Sequence, residues 1–198
     1  MKLFVTAIGT DSGKTLVSAI LCRASEADYW KPIQSGTVSR DSNSVTQLAP
    51  ATKVHPEAYL FKAPTSPHKA AQLEERTIDL SKFKLPKTSS NLIIEGAGGI
   101  MVPINDKQFV LDLIIQLNVE VVLVVNLYLG AINHAILTID KLKDSGVTIR
   151  GLVFNGNGYE EGKEYVAQYS GLPIILELNQ LEKVTSDEVA RLAQKVTI

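Results

Sequence analysis

The sequence predicts an α/β domain with a mostly parallel central sheet and helices on both faces, and three observations point there. Short apolar runs rich in β-formers alternate with helix-like segments along most of the chain, a pattern that calls for parallel strands joined by covering helices. A length of 198 residues suffices for one full domain and not for two ordinary ones. Apolar residues make up 45% and charged residues 21%, which is the balance of a folded globular chain and not of a disordered one.

The elements follow in order. KLFVTAI (2–8) reads as the first strand and ends in a Gly/Thr/Asp/Ser cluster. Residues 13–24 form a helix, with Leu16, Val17, Ala19, Ile20 and Leu21 at helical spacing. DYWKPI (28–33) reads as a second strand. The stretch 36–90 holds five prolines and many Ser and Thr, so loops that carry ligand contacts are expected there. NLIIEGAGG (91–99) is a buried strand running into a glycine turn, and VEVVLVVN (119–126) is the clearest central strand. ILTIDKLKDSG (136–146) is an amphipathic helix closed by glycine. TIRGLVFN (148–155), EEGKEYVAQYSG (160–171), PIILEL (173–178) and SDEVARLAQKV (186–196) continue the alternation.

Several classes are excluded early. Twenty basic against 21 acidic side chains leave a net charge of −1, too even a balance for a general nucleic-acid binder. Cys22 is the one cysteine, so no intramolecular disulfide forms. The opening apolar run is too short for a signal peptide, and VEVVLVVNLYLGAI carries Glu120 and Asn126 and falls short of a membrane span. A cytoplasmic location without membrane attachment is expected.

In open parallel sheets, ligands bind beyond the carboxyl ends of the strands. Glycine-rich or polar clusters fall after residues 8, 33, 95, 126 and 155, so that edge is the expected site. Its strongest part is TAIGTDSGKTLVSAIL, a strand, a glycine loop and a helix start. Backbone N–H groups of such a loop face phosphate oxygens, Lys14 reaches the terminal phosphates, and the Thr15 hydroxyl ligates Mg²⁺. The strict GxxxxGK[ST] pattern fails by register, since its first glycine falls at Ile8 and Gly9 is one residue late.

Glu95 ends the apolar run LIIE, where a carboxylate is costly unless it meets a cation. It reads as a metal ligand or as a turn carboxylate. Asp41, expected in a loop, reads as a second ligand or an N-cap. Thr15, Asp41 and Glu95 together supply a set suited to Mg²⁺, which takes one or two carboxylates plus phosphate oxygens. Lys31, in WKPIQSG, is either a snorkelling surface cation or a phosphate clamp.

VTAIGTDSGKT, YWKPIQSG, APTSPH, IIEGAGGIMVPI, LGAINHAILT and LVFN stand in the order and approximate spacing of the dethiobiotin synthetases. Over roughly residues 1–181 the chain resembles that family. The resemblance implies a single P-loop NTPase domain over 1–198, working as a homodimer with a shared site. It implies MgATP-dependent carboxylation and ring closure of 7,8-diaminononanoate with CO₂ (or bicarbonate), giving dethiobiotin, ADP and phosphate. The route it implies runs through a carbamate and a carbamic–phosphoric anhydride, with no side-chain nucleophile.

The implied residues follow the motifs. Lys14 and Lys31 are the catalytic cations. Asp11, Ser12, Gly13, Lys14, Thr15 and Leu16 contact ATP, together with Asp41, Glu95, Gly96, Ala97 and Gly98. Asn155 and Gly156 meet the base, as do Asn179, Gln180 and Leu181, which stand where the family has a proline-containing loop. Thr10 and Ser35 contact substrate, and Gly130, Ala131, Ile132 and Asn133 receive it from across the dimer. Thr15, Asp41 and Glu95 hold the metal. The loop departs from the family at Ala7, in place of a glycine, and at Gly9, in place of an aspartate.

His68 and His134 are expected to serve helix starts or packing, and His55 to be an exposed loop residue. Cys22 reads as core. Tyr128, Tyr159, Tyr165 and Tyr169 show no base-stacking pattern. The alternative reading is a dimerising nucleotide switch of the partition or division-site type. Such proteins carry a second lysine within the loop, which AIGTDSGKT lacks. A ligase acting on a corrinoid would need a fused glutaminase domain, for which the chain is too short.

Overall fold

The computed structural model describes residues 1–198, and its elements alternate as the patterning demands. They are β1 (Lys2–Ala7), α1 (Lys14–Ser25), β2 (Asp28–Trp30), β3 (Ile33–Ser35), α2 (Asp41–Leu48), β4 (Val54–His55), β5 (Tyr59–Phe61), α3 (Pro67–Leu73), β6 (Leu92–Gly99), α4 (Val110–Leu117), β7 (Glu120–Asn126), α5 (Ala131–Asp144), β8 (Ile149–Asn155), α6 (Glu160–Ser170), β9 (Ile174–Leu178) and α7 (Ser186–Ala193). Seven strands form one sheet in the order β4-β2-β6-β1-β7-β8-β9, and β3 pairs with β5 in a small second sheet. Every strand pairing in both sheets is parallel.

Strand alternation divides the core into two layers. Phe4, Leu92, Ile94, Val121, Leu123 and Val125 point to the layer closed by α3, α4, α5 and α6. Leu3, Val5, Ile93, Val122 and Val124 point to the layer closed by α1, α2 and α7. The strands are apolar on both sides because both faces are covered. The order β2-β6-β1 sets the site: three adjacent carboxyl ends carry Lys31, Glu95 and the glycine loop.

Several expectations need correction. The strand over 28–33 breaks in two, because Pro32 has no N–H to give a ladder. Its carbonyl instead accepts from the amides of Ala58 and Tyr59, and the chain leaves the main sheet at Lys31. The stretch 36–90 is more ordered than a run of loops, holding α2, β4, β5 and α3. Asp41 accordingly stands in the first turn of α2 and not in a loop. Residues 110–117 form a further helix, and the helix expected from 136 begins at Ala131.

His55 is not an exposed loop residue. It is buried on β4, and its Nε2 lies 2.7 Å from Asp28 Oδ2. Cys22 is fully buried, as expected. No helix is long and apolar enough to cross a membrane.

Candidate active site

A cleft of about 720 Å³ opens at the carboxyl ends of β1, β2 and β6. The loop from Thr10 to Thr15 forms one wall, Lys31 and Ile33–Ser35 a second, and Glu95, Ala97 and Gly98 the floor. Asp41 closes one corner, and Pro64–Pro67 with Val102 line the rest.

The loop geometry is that of an anion cradle. Gly13 has φ +88°, and a Cβ there would lie 2.3 Å from Asn155 Nδ2, so only glycine fits. Asn155 Nδ2 donates to Ser12 O at 2.9 Å and pins the loop to the end of β8. Ser12 is fully buried and its hydroxyl donates to Gly9 O at 3.1 Å. The amides of Thr10 to Thr15 donate to no backbone carbonyl, which leaves a set of donors at the start of α1. Lys14 Nζ folds back to donate to Gly9 O at 3.1 Å. Burial, and then the charge of Lys31, push its ammonium down to about 8.

Lys31 is no surface cation. It is 4% exposed and sits 2.6 Å from Asp41 Oδ2 and 2.9 Å from Glu95 Oε1. It also donates to Gly96 O at 2.9 Å. Burial works against its charge, but Glu95 and Asp41 outweigh this and hold the ammonium above its ordinary value. Thr15 Oγ1 lies 3.1 Å from Asp41 Oδ1 and 2.9 Å from Glu95 Oε1, its one proton shared between the two carboxylates. Asp41 is therefore not an N-cap; that position is Arg40. Its amide is held by Gln34 Oε1 at 3.1 Å.

The remaining sequence-predicted residues are spread over several places. Thr10, Asp11 and Ser35 line the cleft, and Ser35 Oγ is buried without a partner. Gly96 takes part through its carbonyl, while Leu16 packs against the core layer beneath the loop. Asn155, Gly156 and 179–181 lie together outside the cleft lining: Gly156 N donates to Leu178 O at 2.9 Å and Gln180 N to Asn157 Oδ1 at 2.8 Å. Gly130, Ala131, Ile132 and Asn133 form the start of α5 and do not line this chain's cleft. His68 stands in the first turn of α3, and His134 Nδ1 pairs with the Tyr128 hydroxyl.

Sequence reasoning missed Tyr29, whose buried hydroxyl donates to Glu95 Oε2 at 2.9 Å. Burial, and then the charges of Glu95 and Asp41, push that phenol well above its ordinary value, so it keeps its proton. It also missed Gln34, Ser39 and the Pro64–Pro67 segment; the APTSPH motif was the available signal for the last.

Comparison with known proteins agrees with this geometry. A family profile described as an AAA domain matches residues 1–188. A protein from Cytophaga hutchinsonii named ATP-dependent dethiobiotin synthetase BioD is 48% identical over 198 residues, covering 98% of this chain and 96% of its own. One of the same name from Paramagnetospirillum magneticum is 43% identical, covering 96% and 93%. Among solved structures, a ParA family ATPase from Chlorobium tepidum aligns with TM-score 0.55 at 12% identity, over 97% of this chain and 98% of that one. The septum site-determining protein MinD from Pyrococcus horikoshii aligns with TM-score 0.55 at 14% identity, over 98% and 94%. These distant likenesses carry the fold alone, whereas the close relatives span nearly the whole chain on both sides. The chain belongs to the ATP-dependent dethiobiotin synthetase family.

Proposed function

We propose that these 198 residues act as one domain that joins 7,8-diaminononanoate to CO₂ at the expense of ATP, giving dethiobiotin, ADP and phosphate. The observation that carries this reading is the buried cation Lys31, outside the glycine loop yet joined to Asp41 and Glu95 in the same cleft. A nucleotide switch needs the loop; it has no need of a second cation placed for a carboxylated substrate. Incubation of the protein with MgATP, bicarbonate and diaminononanoate is expected to yield dethiobiotin by mass. ATP hydrolysis without that product would favour the switch.

In this reading the neutral amine of the substrate attacks CO₂ and loses a proton, and the carbamate oxygen then attacks the γ-phosphorus and displaces ADP. The second amine closes the ring and expels phosphate. Such chemistry asks the protein to position reactants and offset charge. Lys31 faces the carbamate oxygens, Lys14 the γ-phosphate, and the loop amides the remaining phosphate oxygens. Ser35 Oγ offers an unspent hydrogen bond to the substrate. Asn155 and residues 179–181, gathered at the ends of β8 and β9, meet the base.

The donor set suits Mg²⁺. Thr15 Oγ1, Asp41 Oδ1 and Glu95 Oε1 are hard oxygens, and the hydroxyl already lies within hydrogen-bonding distance of both carboxylates. Two carboxylates and a hydroxyl leave positions for phosphate oxygens, the usual manner of holding this ion. When bound, the ion supplies positive charge to the phosphates. Glu95→Gln is expected to raise the metal concentration for half-maximal activity more than Asp41→Asn. The Glu95 side chain is 1% exposed within strand β6, whereas the Asp41 side chain is 29% exposed. An unchanged metal titration for Glu95→Gln would remove it from the ligand set.

The substrate site is completed, in this reading, by a second copy of the chain. The start of α5 presents helix N–H groups suited to a carboxylate. Around it Leu129, Ile132 and Leu137 are exposed, as expected of a face that another subunit covers. Asn133→Ala is expected to weaken diaminononanoate binding and to leave ATP binding nearly unchanged. Mixing inactive Lys14→Ala subunits with inactive variants altered across 130–133 is expected to restore part of the activity. An active monomer in sedimentation, or no rescue despite subunit exchange, would rule the shared site out. The chemistry and the single buried thiol fit a reducing cytoplasm.

A further inference from the structure

Glu95 is a buried carboxylate within β6, where the apolar part of that strand gives way to its glycines, and its two oxygens are treated differently. Oε1 accepts from Thr15 Oγ1 and from Lys31 Nζ, each at 2.9 Å, and so faces the cleft. Oε2 turns the other way and accepts from the Tyr29 hydroxyl at 2.9 Å. Tyr29 is wholly buried in the layer beneath α1 and α2. It sits on β2 with Tyr29 opposite Ile93 of β6, two residues before Glu95. A phenol this deep needs a partner for its hydroxyl; Glu95 is that partner. Neither residue can turn without leaving a buried polar atom unpaired, which costs about 1–3 kcal/mol.

We propose that Tyr29 sets which divalent ion this site accepts, by holding Glu95 Oε2 turned away from the cleft so that the carboxylate ligates only through Oε1. The inference rests on the reading of Thr15, Asp41 and Glu95 as the metal ligands. Its physical basis is the difference between the two common hard cations. Mg²⁺ is small, near-octahedral and content with one oxygen from each carboxylate, whereas Ca²⁺ takes more oxygens and readily uses both of a carboxylate. A hydrogen bond that withholds the second oxygen therefore disfavours the larger ion. It also fixes the orientation of the first oxygen, as outer partners of metal ligands generally do. Tyr29 is thus a positioning residue that acts through Glu95.

Tyr29→Phe keeps the ring in the core and removes only the hydroxyl, so it isolates the effect. Binding is measured directly, by competition of Mg²⁺ or Ca²⁺ with Mn²⁺ followed by electron paramagnetic resonance, on protein saturated with ADP. Magnesium affinity is expected to fall about tenfold, with calcium affinity level or higher, so the Mg²⁺-to-Ca²⁺ ratio collapses. A fall in melting temperature alone cannot produce that change, since packing loss lowers both affinities together. An unchanged ratio in folded Tyr29→Phe overturns the proposal. Should this variant fail to fold, 3-fluorotyrosine at position 29 serves instead. It is a stronger donor of nearly the same shape, and it is expected to raise the ratio; no change would overturn the proposal. Glu95→Gln separates the two levels. If it leaves Mg²⁺ affinity intact, the ligand assignment itself fails; if it weakens Mg²⁺ while Tyr29→Phe spares the ratio, only the role of Tyr29 fails.

Discussion

Lys31→Ala is expected to lose at least about 10²–10³-fold in kcat, the effect of removing one charged group aimed at charge that develops in the transition state. The structure adds a second consequence that sequence alone did not suggest. Lys31 neutralises Asp41 and Glu95 from a position 4% exposed. Its removal leaves two neighbouring carboxylates with no buried cation between them, and breaking a buried pair costs about 3–5 kcal/mol. The variant should therefore melt earlier than the wild type, with a native circular dichroism spectrum below its transition. Steady-state kinetics beside thermal melts test both effects. Near-normal kcat would take Lys31 out of the chemistry, and an unchanged melting temperature would contradict the buried cluster.

Lys14→Ala is expected to lose activity on the same scale, about 10²–10³-fold, and to weaken ATP binding as well. Its effect on stability should be small. The ammonium makes one hydrogen bond, to Gly9 O, and no ion pair, and burial already works against its charge. Calorimetric titration with ATP and a parallel melt distinguish this variant from Lys31→Ala. The two lysines share a cleft but are held differently: one folds back on the glycine loop and the other is part of a buried ion cluster.

The glycine loop was legible because its function depends on local order, with a strand, a turn at Gly13 and a helix start packed into neighbouring positions. Glu95 was legible because a carboxylate ending an apolar run is conspicuous. By contrast α2 buries only Ser42 and Val45, so it has no apolar stripe to announce a helix. It is held by distant partners instead: Gln34 on the Asp41 amide, and Glu57 on Ser42 and Arg40. His55 departs from expectation in the same direction. Its polar neighbourhood suggested a loop, yet pairing with Asp28 across β2 and β4 lets it be buried.

The sequence by itself determined the parallel α/β architecture and the glycine loop, while Lys31, Asp41 and Glu95 it offered only with alternatives that the family resemblance narrowed. The first two rest on periodicity and on residue types at short spacing, which local chain geometry preserves. Only the tertiary structure decided how the charged side chains meet. Strand order sets β6 between β2 and β1, and that adjacency brings residues 29, 31 and 95 within hydrogen-bonding distance. The break at Pro32 and the helical placement of Asp41 complete the cluster. Tyr29 is the clearest case: in the sequence it is one more aromatic residue of a short strand, and it becomes part of the site only because its neighbouring strand carries a buried carboxylate that needs a donor.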